Sequence, residues 1–492
     1  MKIFRLILAM LFIFSFTLAE AGFEMSGYLK NEFSLGLKTF NEVSKIKNIL
    51  SLSGEYTFSD NWVAFMSVKG WHDSVYGIYD KYDPAQHYMD HVQRIDWLRD
   101  CYLDYNNGPW FLRLGRQQVA WGQADGVAVL DRVNPYDLTE YYLPDSVDLR
   151  IPLWMLNINY APKMNSNLQL LIIPEFEQST AAPPDAPFSF RSYRMFQSFK
   201  DSWESDEQVD PTWPAPSMRG PMYTNIYYPA KEFKNSKFGL QWQDRFADWE
   251  YTLNYLYGYD YLARTYDDGT LITYTQIPVP FPPFVIDIPA NEGIHPNYSR
   301  RFKIVQMVGG SLNHTFTEEG PLKGVTVRSD LAFYLNEPTY FGDVTEGNSA
   351  GVKRWNNTFW LIGLDKYVLP NWLASFQFAQ YIMQHKSPGG TNPDSGRAYQ
   401  TMNSFTYGAQ DRVENAFGLK VSTDFMHERL KPEILWSFTD DNQGRISPKV
   451  TYEIKDNLWL TAGIHYFYGR EGDSNGQFQE VSQFYTQLKF TF

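Results

Sequence analysis

The chain has 492 residues, 56 acidic against 43 basic, a formal charge of −13 and a single cysteine, Cys101. The acidic balance argues against a nucleic-acid partner, which calls for a basic face. One cysteine excludes an intramolecular disulfide and makes a thiolate metal cluster implausible, and no metal or cofactor is expected.

At the N-terminus, Lys2 and Arg5 precede an apolar run from Leu6 to Leu18, and Ala19-Glu20-Ala21 follows as a small-x-small pattern. A spanning helix needs about 20 apolar residues, so residues 1–21 are expected to be a cleaved secretory signal. No later stretch approaches a membrane helix, yet the chain carries 34 Tyr, 36 Phe and 15 Trp. That aromatic load without spanning helices points to an all-β fold, a transmembrane antiparallel β-barrel with aromatic girdles. Residues 22–492 are expected to form one such outer-membrane domain.

Taken in chain order, a first strand over roughly 25–38 is followed by a short connection near 39–45. Turn signals then fall at Ser59-Asp60-Asn61, Asn106-Asn107-Gly108-Pro109, Pro162-Lys163-Met164-Asn165, Ala247-Asp248, Glu318-Glu319-Gly320-Pro321, Leu369-Pro370-Asn371, Met426-His427-Glu428 and Lys455-Asp456-Asn457. Long segments separate them, roughly at 72–93, 120–150, 178–235, 262–302, 338–354 and 387–411. Shorter connections lie near 440–444 and 469–479. Bacterial barrels alternate short periplasmic turns with long outer loops. This alternation gives about 18 strands, with 16 as the alternative and both ends periplasmic. The strands themselves alternate: Trp249, Tyr251, Leu253, Tyr255, Tyr257 and Tyr259 oppose Glu250, Thr252, Asn254, Leu256 and Gly258. In the last strand Phe484, Leu488, Phe490 and Phe492 oppose Gln483, Gln487, Lys489 and Thr491. A period of two places each set in a different medium. The terminal Phe492 is similar to the recognition signal of Gram-negative outer-membrane proteins.

Two outer segments have unusual compositions. Residues 178–235 carry AAPPDAP and WPAP, and 262–302 carry IPVPFPPFVIDIP, too Pro-rich to pair as a central strand. They are expected to pack on each other or on lipopolysaccharide as a lid, or to form a gate with a greasy ligand surface.

The stretch LGRQQVAWGQADGVAVLDRVNPYD, Leu114–Asp137, stands apart. Leu112 and Leu114 should face lipid and Arg113 the lumen, and the alternation breaks at Gly115–Gln118 as at a bulge. The loop at about 120–150 is expected to fold inward. Its backbone must then be satisfied by polar wall residues or water. Arg116, Arg132 and Arg150 among Asp125, Asp131, Asp137, Asp145 and Asp148 suit a directional Arg–carboxylate network that fixes its position. The expected constriction and substrate path comprises Arg113, Arg116, Gln117, Trp121, Gln123, Asp125, Asp131, Arg132, Asn134, Asp137, Asp148 and Arg150. The glycines lack Walker or dinucleotide spacing, so a phosphate cradle is unsupported.

Gly115, Arg116, Gln117, Val119, Trp121, Gly122 and Gln123, then Val133, Asn134, Pro135 and Asp137, carry a family resemblance. The pattern G-R-Q-x-V-x-W-G-[EQ] followed by [VI]-N-P-x-D resembles a family of Gram-negative outer-membrane barrel proteins of unknown function. Gln123 stands where that family more often carries Glu, which counts against acid chemistry there. The resemblance implies a barrel accompanying an RND-type exporter and a periplasmic partner, in settings linked to lipids, steroids or hydrocarbons.

The function expected is a porin-like channel passing small molecules, hydrophobic or lipid-like ones included, across the outer membrane, in contact with its lipid and lipopolysaccharide. The alternatives are a general polar-solute porin and a barrel sheath around an electron-carrying partner. No catalytic residue is assigned. His465, in a strand with Trp459, Thr461 and Gly463, is expected to face the lumen, without a serine motif to mark a nucleophile.

Overall fold

The computed structural model describes residues 22–38, 42–78, 95–96, 98–124, 126–182, 186–190, 223–280, 283–341, 351–384, 413–470 and 473–492. The expected signal at 1–21, and Asp125, lie outside these residues.

Eighteen strands close into one antiparallel barrel. They are β1 (Phe23–Gly36), β2 (Val43–Ser59), β3 (Trp62–Asp73), β4 (Cys101–Asn107), β5 (Trp110–Gln117) and β6 (Leu153–Lys163). Next come β7 (Ser166–Ile173), β8 (Lys237–Phe246), β9 (Trp249–Tyr259), β10 (Ile304–Thr315), β11 (Val325–Phe341) and β12 (Gly351–Leu369). The last are β13 (Trp372–Met383), β14 (Val413–Ser422), β15 (Leu430–Thr439), β16 (Gly444–Lys455), β17 (Leu458–Tyr468) and β18 (Gln483–Thr491). Each pairs with its sequence neighbours, and β18 returns to β1, from Tyr28↔Thr491 to Gly36↔Gln483. A two-residue strand, Ile95–Asp96, adds to the outer end of β3.

The short connections stand where the turn residues are. Ala247, Asn371, Met426, His427, Glu428 and Asn457 all have left-handed backbone there, which tight reversals demand. Alternation sets the two faces. Leu253, Leu240, Leu419, Leu488 and Phe490 are exposed on the outside. At the strand ends joined by the short turns Trp62 packs on Tyr105 and Trp110 on Tyr160, each pair 4.6 Å between ring centroids, in the manner of an interfacial girdle.

Three expectations need correction. The Pro-rich segment 262–302 forms two long strands, Arg264–Pro280 and Pro283–Arg301, outside the barrel sheet. The second is the middle strand of a three-stranded sheet, because Tyr223–Tyr227 pairs along Asn297–Arg301. That pairing begins just past Pro296, so Pro283, Pro289 and Pro296 keep one edge free of a ladder, where proline is tolerated. Secondly, Gly115–Gln117 is no bulge, since β5 pairs in unbroken register with β4 and β6 through Arg116 and, with β6, through Gln117. Thirdly, Arg116 is buried at the end of β5, 3.9 Å from Glu175 and from Glu177, and joins none of the loop's aspartates. There it pairs opposite the exposed Trp154, and its Nε donates to the Arg99 carbonyl.

Candidate functional site

Between β5 and β6 the chain turns into the barrel. The evidence for this is what the loop touches. Val119, Trp121, Val129, Leu130 and Val133 are buried against Leu171, Met307, Leu361, Ala379 and Tyr381. These wall residues point away from lipid: Leu171 is fully buried while its neighbour Leu170 is exposed. The inner face of β6–β13 therefore carries an apolar patch, and the first half of the loop packs on it.

Wall side chains satisfy the loop's backbone, as a water-poor interior requires. The Asp330 carboxylate on β11 accepts the N–H of Gln123 (2.9 Å) and of Ala124 (3.0 Å). Arg328 donates to the Gln123 carbonyl, Tyr334 to that of Val129, Tyr261 to that of Val133 and Lys237 to that of Arg132. Two glycines permit this approach. Gly122 has φ +92° and a Cβ there would lie 2.7 Å from Asp330 Oδ2; at Gly239 on β8 a Cβ would lie 2.9 Å from the Trp121 indole. That indole donates from Nε1 to Gln169 at 2.8 Å.

The second half of the loop crosses to the opposite wall. Glu140 binds Lys45 and Lys47 of β2, at 2.7 Å from Lys47, and Asp148 binds Lys69 of β3. Burial alone would raise the Glu140 carboxyl, but the ammonium groups of Lys45 and Lys47 outweigh it and hold the group well below the carboxylate range. Asp148 shifts downward for the same reason, Lys69 outweighing burial. Above the loop, residues 180–182 and 186–190 fold into the mouth. Asp137–Leu138 pairs in parallel with Thr180–Ala181, and Tyr141, Phe188, Phe190, Phe467 and Phe478 form an aromatic cluster. Of the segment 178–235, residues 180–182 and 186–190 thus pack on the inward loop, while Tyr223–Tyr227 pairs with Asn297–Arg301.

What remains is a cavity of about 800 Å³ between the loop and the inner faces of β1–β3 and β14–β18. Lys30, Lys45, Lys47, Lys69, Lys420, Arg445, Lys449 and Lys489 line it from the wall; Asp131, Asp137, Glu140, Asp145 and Asp148 line it from the loop. A smaller cavity of about 240 Å³ lies between Val127, Ala128 and Tyr142 and strands β12–β16.

The residues singled out in the sequence separate into groups. Trp121, Asp131, Asp137, Asp148 and Arg150 border the large cavity. Arg150 donates from Nε to Asp131 at 2.7 Å, the expected Arg–Asp pair. Arg132 turns instead toward Glu337 and Asp260, at 3.6 and 3.9 Å. Asn134 is a tie, accepting the Val119 N–H and donating to the Ile151 carbonyl, both at 2.9 Å, so that it clasps the two ends of the loop. Asp137 accepts the Thr139 and Thr180 hydroxyls. Arg113 is locked in a two-bond fork with Asp104 at 2.7 and 2.8 Å, and Gln117 is buried against β6. Gln123 is used through its backbone. Asp330, Glu140, Lys45, Lys47 and Arg445 were not singled out. Lys45-Ile46-Lys47, charged at alternate positions of a strand, was the signal for two of them.

His465 does face the lumen: it borders the large cavity, with Nδ1 3.0 Å from Ser447 Oγ. Its ring stacks on Tyr485 at an interplanar angle of 8°.

The family model for DUF1302, a protein family of unknown function, matches residues 28–492. The chain belongs to this family. No curated protein matches the sequence. Solved structures similar to this DUF1302 chain include OccAB3 of Acinetobacter baumannii, at 10% identity and TM-score 0.50, covering 96% of this chain and 99% of that one. OccK8 (OprE) of Pseudomonas aeruginosa is similar at 10% identity and TM-score 0.48, covering 96% and 98%. At this identity the likeness shows the fold, a porin-like outer-membrane barrel.

Proposed function

We propose that the protein is an outer-membrane channel in which small solutes pass between the inward loop and the wall formed by β1–β3 and β14–β18. The observation that carries this reading is the cavity of about 800 Å³ left between loop and wall. A barrel of 18 strands leaves a lumen wider than side chains alone can fill, and here a loop fills one side of it. Solutes with an apolar body are favoured by the second cavity, where Leu361, Ala379 and Ala416 meet Val127 and Ala128. A general polar-solute porin is the second reading, favoured by the charged lining of the larger cavity.

Purified protein in a planar bilayer tests both. Deleting Gly122–Asp131 removes much of the constriction while leaving the strands intact, and conductance should rise. Unchanged conductance and solute passage in that deletion would overturn the assignment of the path. Steady conductance that apolar solutes leave unblocked would favour the general porin. The exporter and periplasmic partner implied by the sequence resemblance belong to this proposal as well, and co-purification from membranes is their test.

A further inference from the structure

We infer that the junction of the two cavities is a binding site for an amphiphilic organic anion, an apolar body carrying one carboxylate. This deepens the channel reading and rests on it for the route by which such a ligand arrives. Arg445 and Lys420 border both cavities. Arg445 Nη1 donates to the Tyr142 carbonyl at 3.1 Å, while its buried Nε lacks a hydrogen-bond partner. Among the described residues no carboxylate pairs with it. Lys420 and Lys449 share one carboxylate, Glu433, at 3.4 and 3.1 Å. Lys489 sits over the Tyr28 ring. This wall therefore holds a surplus of positive charge, unlike β1–β3, where Glu32, Glu140 and Asp148 pair with the lysines.

The smaller cavity supplies the complementary half. Leu361, Ala379 and Ala416 of the wall face Val127 and Ala128 of the loop, and the cavity holds about 240 Å³. An apolar cavity of roughly 150 Å³ accepts benzene, so this one suits a ring with a short chain. Of its two acidic residues, Glu414 lies six positions before Lys420 on β14, or ~20 Å along the strand, and Asp441 stands in the turn that precedes β16. A guanidinium suits a carboxylate, which it grips directionally.

Three soluble probes sharing one apolar body separate charge from greasiness: 4-phenylbutyrate, 4-phenylbutylamine and 4-phenyl-1-butanol. Calorimetric titration into the purified full-length barrel in detergent should show the acid binding at least ~10-fold tighter than the amine. Acetate should not compete. Arg445→Gln and, more mildly, Lys420→Gln should weaken the acid by about tenfold and leave the alcohol unchanged. Equal affinity for acid and amine, or wild-type acid binding in both variants, would overturn the site. Bilayer conductance is read separately. A barrel that conducts but shows no charge preference keeps the channel reading and loses this site. One that binds the acid selectively but never conducts keeps the site and loses the channel.

Discussion

Replacing Asp330 with Ala should release the inner half of the loop without unfolding the barrel. The carboxylate accepts two backbone N–H groups, those of Gln123 and Ala124 at 2.9 and 3.0 Å, in a buried setting. Without it both donors lose their partner, at about 1–3 kcal/mol each. The sum is about 2–6 kcal/mol, and each 1.4 kcal/mol is tenfold in an equilibrium. Local opening of the loop should thus become at least ~30-fold more frequent. Amide hydrogen exchange, read on peptides spanning 119–131, reports that opening directly. Exchange there should accelerate by that factor while peptides from β14–β18 keep their protection. Gln123→Ala is the internal control. The loop is held through that residue's backbone, so its truncation should stay within about 0.5 kcal/mol. Unchanged exchange in Asp330→Ala, or equal acceleration in Gln123→Ala, would refute the reasoning.

Three further outcomes are expected. Because the folded Glu140 carboxyl is held below its unfolded value, its contribution is present above about pH 4.3 and is lost as pH falls below that. Thermal stability should accordingly fall on acidification below that pH in the native protein, and fall less steeply in Glu140→Gln. Gly239→Ala places a Cβ 2.9 Å from the Trp121 indole, so the ring must move, at about 1–3 kcal/mol; a shifted tryptophan emission spectrum would show it. Tyr334→Phe and Tyr261→Phe each remove one hydrogen bond to a loop carbonyl, about 0.5–1.5 kcal/mol apiece, and should raise exchange in 127–134 by no more than roughly tenfold.

The barrel was legible because two local rules suffice for it. A period of two assigns faces, and turn residues such as Asn371 and Asn457 mark where the chain reverses. The site was legible only in part, because its geometry depends on counting and on distant partners. Arg116 stands in unbroken register where a bulge was expected, and its partners Glu175 and Glu177 lie beyond the loop whose aspartates it was expected to meet. Val129 and Leu130 carry no local mark, since nothing in the sequence around them says that Met307 and Leu361, far along the chain, turn an apolar face inward to meet them. Those wall positions were hidden too. Where Leu170 meets lipid and Leu171 meets the loop, both faces are apolar and the alternation disappears.

That concealed face changes how the barrel should respond to substitution. In an open porin, inward positions are the permissive ones, and exchanges there adjust selectivity. Along β6–β13 the inward positions that meet the loop, Leu171, Ile173 and Met307 among them, are instead buried as in the centre of a water-soluble domain. A polar exchange at Leu171 or Ile173 would meet no water and would have to displace the loop. The protein thus carries two regimes of mutational tolerance on one continuous wall, forgiving along β14–β18 and strict along β6–β13, and variation over time should be apportioned between them accordingly.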